Sequence, residues 1–206
     1  MTFNGLKYQN HQLAVPLVWD DPSDSRTIEI FARVVTAQGG EDLPYLVFLQ
    51  GGPGYEASRP SLKPTQPSWF AVALQRYQVV MLDQRGTGRS TPVGNELLSL
   101  PVEEAAEYCS HLRADAIVRD CEAVREHLGA TKWSVLGQSF GGFTLLHYLS
   151  KFAGSLHRAY FTGGLSAVGH HCDDIYTLTH EKMATRSEEF YRLFPGDRDR
   201  MAKASE

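Results

Sequence analysis

The chain has 206 residues, of which 42% are hydrophobic and 21% charged, and its formal net charge is −4 at pH 7. This composition is typical of a globular protein that buries one core. The sequence has no run of Lys or Arg, which disfavours nucleic acid and anionic membranes as partners. Its apolar runs are too short to span a membrane, and its three cysteines lack CxxC spacing, so we expect a cytoplasmic protein with free thiols.

The N-terminal part is predicted to form strands. Residues 12–19 and 27–36 flank the turn-rich DDPSDS segment and resemble a hairpin, because apolar and polar positions alternate in them. Two short apolar runs follow, YLVFL at 45–49 and YQVVMLD at 77–83. Such runs are typical of strands in a sheet that is covered on both faces.

A short helix is predicted between these two apolar strands, over residues 68–76 with Ser68 as its N-cap. Pro60, Pro64 and Pro67 predict an extended loop before it. A helix at this position would connect two parallel strands.

The next segment continues the alternation of helices and strands. Helical spacing predicts a surface helix over 115–128, and Gly129 lies just past its end. A buried strand at 133–137, an apolar helix at 140–152 and a strand at 157–164 follow. This order predicts an α/β protein with a mostly parallel, doubly wound sheet.

The sequence changes character after residue 165, where it becomes charged and helical. We therefore expect two parts, the core of the fold in residues 1–165 and the start of a helical segment in residues 166–206. Apolar residues at intervals in the second part are expected to be buried points: Tyr176, Met183, Phe190 and Leu193.

The strongest chemical motif is Gly137-Gln138-Ser139-Phe140-Gly141, which follows a predicted strand and opens a predicted helix. This is the context of the G-x-S-x-G nucleophile elbow of α/β-hydrolases, where a strained turn exposes the serine hydroxyl at the carboxyl edge of the sheet. Small residues at 137 and 141 let the strand and the helix approach closely. The sequence therefore predicts Ser139 as a catalytic nucleophile rather than an idle serine in a glycine-rich turn.

A nucleophilic serine needs an oxyanion hole. In this architecture one donor is the N–H of the residue after the serine, here Phe140, and the other comes from the loop after an earlier strand. That loop is Gln50-Gly51-Gly52-Pro53-Gly54, in which Gly52 is the predicted second donor. Gly51, Pro53 and Gly54 are expected to support the loop, and Pro53 can fix a tight turn with a cis bond.

Asp83 and Arg85 lie in the segment DQRGTGRS, directly after a predicted strand. Dinucleotide binding is disfavoured because Thr91 stands at the third glycine of G-x-G-x-x-G, and a P-loop would need Gly-Lys-Ser/Thr. We expect Asp83 and Arg85 to brace the loops around the site through charge-assisted hydrogen bonds.

Three segments, taken in chain order, resemble the signature of the proline iminopeptidases of the S33 serine peptidase family: YLVFLQGGPG, VVMLDQRGTGRS and VLGQSFGG. The resemblance implies an α/β-hydrolase fold with a helical cap and the removal of an N-terminal proline from peptides, without metal or organic cofactor. Its partner would be a peptide with a free N-terminus. One departure is Gln50, which stands where many members carry histidine.

The remaining members of a catalytic triad are expected beyond Glu206, because the order in this fold is Ser, then Asp or Glu, then His on later strands. We therefore expect residues 1–206 to be inactive alone. The alternatives are an esterase, a broader aminopeptidase, or a non-catalytic protein that acts by binding.

A metal is not expected at His170-His171-Cys172-Asp173-Asp174, since consecutive residues are poorly placed to converge on one ion.

Overall fold

The computed structural model describes residues 2–204 except 4, 59–67, 165 and 167. The predicted proline-rich loop lies mostly outside the described residues. The chain divides into two compact units, Met1–Leu165 and Ser166–Glu206. The interpretation of the second unit as the start of a cap stays a prediction.

The described residues of the first unit form one seven-stranded sheet in the order β1-β2-β3-β5-β4-β6-β7. Strands β4 to β7 are parallel, whereas β1, β2 and β3 pair with their neighbours in antiparallel fashion. The strands are β1 Thr2–Phe3, β2 Leu6–Pro16, β3 Thr27–Ala37, β4 Tyr45–Leu49, β5 Gln78–Leu82, β6 Trp133–Gln138 and β7 Leu156–Thr162.

The entry hairpin differs from its prediction at its first strand. Strand β2 begins at Leu6, six residues before the predicted start at 12, and ends at Pro16, so residues 17–19 are not part of it. Its first half pairs with β3 from Leu6↔Ala37 to His11↔Ala32. The prediction missed this half because its side chains are mostly polar and exposed, so they carry little hydrophobic pattern.

Helices cover both faces of the sheet. Helices α3 (Ala114–His127) and α4 (Phe140–Phe152) pack on one face, whose core includes Val47 and Leu49. The short helix α1 (Trp69–Ala73) packs on the other face, against Phe48. Because successive strand residues point to opposite faces, the continuous apolar run of β4 is buried on both sides, as predicted.

The predicted helices of the first unit are present. Ser68 caps α1 by accepting a hydrogen bond from the N–H of Ala71, and Gly129, at φ 69°, follows the end of α3. Helix α2 (Val102–Ser110) was not predicted, and a 3-10 turn precedes it at Asn95–Ser99. Helix α2 buries none of its residues, which explains the weak sequence signal.

The second unit contains α5 (Cys172–Leu193) and α6 (Gly196–Ala204). Its helical character agrees with the prediction, but the expected burial does not. Neither helix has a buried residue. The four residues that were expected to be buried points are all exposed: Tyr176, Met183, Phe190 and Leu193. Within the part of the chain that the structure describes, no helix is long and apolar enough to cross a membrane.

Candidate active site

Ser139 lies at the sharp turn between β6 and α4. Its backbone has φ 51° and ψ −117°, a conformation that side-chain-bearing residues rarely adopt. The turn is held by hydrogen bonds from the N–H of Ser139 to the carbonyl of Thr162, at 2.9 Å, and from the N–H of Gly142 to the carbonyl of Ser139, at 2.8 Å. Ser139 is exposed, so its hydroxyl faces outward at the carboxyl edge of the parallel strands.

Glycines let the backbones approach each other at this turn. A Cβ on Gly137 would collide with the backbone of Gly141, and a Cβ on Gly141 would collide with the carbonyl of Leu49. Gly164 makes a third close approach, against the carbonyl of Ser139. The first two glycines are those of the sequence motif, whereas the third was recognisable only as a glycine after a strand.

The loop after β4 lies directly beside the serine. A Cβ on Gly51 would lie 2.9 Å from Ser139 Cβ, so Gly51 packs against the serine side chain. Gly52 has φ 119°, and the Gly52-Pro53 peptide bond is cis. Among the described residues, the N–H groups of Gly52 and Phe140 have no hydrogen-bond acceptor, and Phe140 is the first residue of α4. The assignment of these two N–H groups to an oxyanion hole stays a prediction.

Asp83 and its neighbour Gln84 support this loop. Asp83 accepts hydrogen bonds from the N–H of Ala57, at 3.0 Å, and from the N–H of Arg89, at 2.9 Å. Burial raises the pKa of Asp83, although these two hydrogen bonds act in the opposite direction. The side-chain amide of Gln84 donates to the carbonyl of Gln50 at 2.9 Å. The role of Gln84 was not predicted, because a single glutamine gives no recognisable sequence signal.

Arg85 binds a partner that the sequence did not reveal. Its guanidinium is fully buried and makes a bidentate ion pair with Asp120 of α3, at 2.7 and 2.6 Å. It also donates to the carbonyls of Leu17 and His111, at 2.9 and 2.8 Å. Arg85 therefore ties the loop after β5 to α3 rather than contacting the serine.

A recess of about 320 Å³ opens between the glycine loop at residues 50–54 and the loop after β5. Its lining includes Pro53, Gly54 and Phe140 on one side and Val93, Leu112 and Ile117 on the other. The recess is mostly apolar and is lined by Phe140, one of the two predicted oxyanion donors, so it offers space for an apolar group beside the site.

No histidine of the first unit has a described contact with Ser139. His11 and His127 bind each other, and His111 binds Glu107 at 2.8 Å. His147 lies two turns along α4, roughly 12 Å of helical rise from the serine. His157 is five residues before Thr162 on β7, about 16 Å along the strand.

The remaining histidines, His170, His171 and His180, belong to the second unit. There the side-chain atoms of His171, Cys172 and Asp173 that could bind a metal lie within 4.8 Å of one another. This spacing is closer than we expected for consecutive residues. All three residues are exposed. His171 Nδ1 accepts the N–H of Asp173 and so caps α5, which accounts for the local geometry.

The elbow, the glycine loop and the strand order can be compared with known proteins. Residues 44–203 match the model of a family described as alpha/beta hydrolase fold. The chain belongs to this family. The predicted α/β-hydrolase fold is thereby confirmed.

The resemblance to proline iminopeptidases is confirmed as well. A proline iminopeptidase from Aeromonas sobria is 45% identical over 93% of this chain, and one from Aspergillus aculeatus is 35% identical over 92%. The chain spans 45% and 44% of the lengths of these two relatives. Among solved structures, a proline iminopeptidase-related protein from Thermus thermophilus is 24% identical, with a TM-score of 0.46 over 74% of this chain and 44% of that chain.

Proposed function

We propose that the complete protein is a serine hydrolase of the prolyl aminopeptidase type, which releases an N-terminal proline or a similar residue from peptides. The observation that carries this proposal is the backbone of Ser139, held at positive φ between β6 and α4 with its side chain exposed. The similarity to two proline iminopeptidases supports the substrate class.

In the proposed reaction, Ser139 Oγ attacks the carbonyl of the N-terminal residue while a histidine accepts the hydroxyl proton. The N–H groups of Gly52 and Phe140 stabilise the negative charge on the carbonyl oxygen. The histidine then protonates the leaving amine, and water hydrolyses the acyl-enzyme on Ser139. We propose that this histidine and its acidic partner lie outside residues 1–206, because in this fold they follow the serine on loops after later strands.

Replacement of the nucleophile tests the proposal. In the complete enzyme, Ser139→Ala is expected to lower kcat by on the order of 10⁶-fold, as removal of a triad serine does. Ser150→Ala is the matched control, because Ser150 lies on the same helix and, among the described residues, its hydroxyl bonds only the carbonyl of Leu146. Turnover of proline 4-nitroanilide and the circular dichroism spectrum are measured for both. Substantial activity in a folded Ser139→Ala protein would contradict the nucleophile assignment.

Substrate preference is tested separately. We expect proline 4-nitroanilide to be cleaved with higher kcat/KM than acyl esters with a comparable leaving group. Alanine and leucine anilides distinguish a proline-selective enzyme from a broader aminopeptidase. Preference for a short acyl ester over every aminoacyl anilide would make the protein an esterase while leaving the role of Ser139 intact.

A further inference from the structure

Two histidines that are far apart in the sequence meet on the face of the sheet that α3 covers. His11 belongs to β2 and His127 is the last residue of α3. His11 Nδ1 lies 3.1 Å from His127 Nε2, and the two rings are nearly perpendicular, with an interplanar angle of 81°. Among the described residues, neither imidazole has a carboxylate partner. Each ring therefore has only the other as a polar side-chain contact.

The two nitrogens are at hydrogen-bond distance, and this separation is also that of two ligands on one metal ion. Imidazole nitrogens bind Zn²⁺ at about 2.0–2.1 Å, and near-tetrahedral angles then place two such nitrogens about 3.1–3.4 Å apart. The observed distance is 3.1 Å. Because β2 and α3 contact each other, the two imidazoles already lie at this spacing in the folded protein.

The surroundings also suit a cation. The C-terminal end of a helix carries a partial negative charge from the helix dipole, and His127 lies at this end of α3. The nearest basic side chain on the helix, Arg125, is already paired with Glu122 and Glu126. Its positive charge is thus balanced locally and does not oppose a bound ion.

The pair is remote from the serine. Helix α3 ends shortly before the amino end of β6, whereas Ser139 follows the carboxyl end of that strand. A ligand at the histidines would contact β2 and α3 without reaching the elbow. Its effect is expected on stability rather than on the chemistry at Ser139.

We propose that His11 and His127 form a two-histidine site for a divalent transition-metal ion such as Zn²⁺, Ni²⁺ or Cu²⁺, which links β2 to α3. A small rotation of the imidazoles directs both lone pairs to the ion, and the shared ring proton moves to the other nitrogen of its ring. Water completes the coordination. Imidazole ligands select these ions over Mg²⁺ and Ca²⁺, and Cu²⁺ should bind most tightly of the three.

Calorimetric titration of residues 1–206 with NiCl₂ at pH 7.5 tests the site. The background protein carries His170→Ala, His171→Ala and Cys172→Ser, which remove the exposed donor cluster of α5. One Ni²⁺ per chain is expected to bind this background. Replacing either His11 or His127 by Gln should weaken binding at least about tenfold, since even loss of a supporting partner costs a metal site that much.

His157→Gln in the same background is the matched control, because His157 is an exposed histidine on β7, and it should leave the affinity unchanged. Saturating Ni²⁺ should also raise the midpoint of thermal unfolding in the background and in this control, but not in the His11→Gln protein. Circular dichroism confirms that each variant is folded. The proposal is overturned if the background binds no Ni²⁺, or if both Gln variants bind it within twofold of the background.

Discussion

At the scale of single residues, the contact between Gly51 and Ser139 joins the two halves of the predicted site. A side chain at position 51 would meet Ser139 Cβ at 2.9 Å and the carbonyl of Gln138 at 3.0 Å. Neither neighbour can move freely, because the turn at Ser139 is bonded to β7 and to the first turn of α4. An alanine at position 51 must therefore displace the glycine loop that contains it, residues 50–54.

We predict that Gly51→Ala lowers kcat of the complete enzyme by about 10²–10³-fold, the usual effect of losing one oxyanion donor. KM for proline 4-nitroanilide should change less, because the loop's displacement acts on the transition state. Gly154→Ala serves as the control, since its added Cβ would meet no atom within 4 Å. Equal kcat in both variants would place the oxyanion hole elsewhere.

At the scale of secondary-structure elements, the ion pair between Arg85 and Asp120 connects the loop after β5 with α3. The side chains are 0% and 2% exposed, so removal of one partner leaves a buried charge without its counter-ion. Trp19 also donates to Asp120, at 3.0 Å, and adds the segment after β2 to the same junction.

We predict that Asp120→Asn destabilises residues 1–206 by about 3–5 kcal/mol, the typical cost of breaking a buried ion pair. Urea unfolding followed by circular dichroism measures this loss. Glu126→Gln, on the same helix but exposed, should change stability by less than about 0.5 kcal/mol. The double variant Arg85→Met, Asp120→Leu should regain part of the loss, and a double variant less stable than Asp120→Asn would contradict this account.

The elements themselves were predictable to different degrees. Helix α4 and strand β4 have the predicted bounds, because their apolar residues are continuous and glycines or prolines flank them. The first half of β2 was missed because backbone pairing with β3, rather than burial, holds it in the sheet. Helix α2 was missed because it buries no residue.

At the scale of the whole molecule, β7 is the last strand of the described sheet. Its outer edge has no strand partner among the described residues, and Tyr160 on this strand is 37% exposed. Phe143 of the adjacent α4 is exposed as well. An open strand edge with aromatic residues favours pairing with another chain.

We predict that residues 1–206, expressed alone, self-associate and show no measurable hydrolysis of proline 4-nitroanilide. Without a base, a serine hydrolase keeps only about 10³–10⁴-fold catalysis over water. Size-exclusion chromatography with light scattering measures the association, which Tyr160→Lys should reduce by placing a charge at the edge. A monomer that hydrolyses the anilide in a Ser139-dependent manner would show that a histidine of this chain serves as the base.

The sequence by itself determined the fold class, the position of Ser139 in an elbow and the glycine loop that adjoins it. These features rest on short-range patterns, namely apolar runs, alternation and glycine spacing, which act within a few residues. Only the tertiary structure decided that Gly51 touches Ser139, that Arg85 binds Asp120, and that His11 meets His127, 116 positions away. These contacts depend on the sheet order β2-β3-β5-β4-β6, which brings distant segments together and leaves no mark on the local sequence.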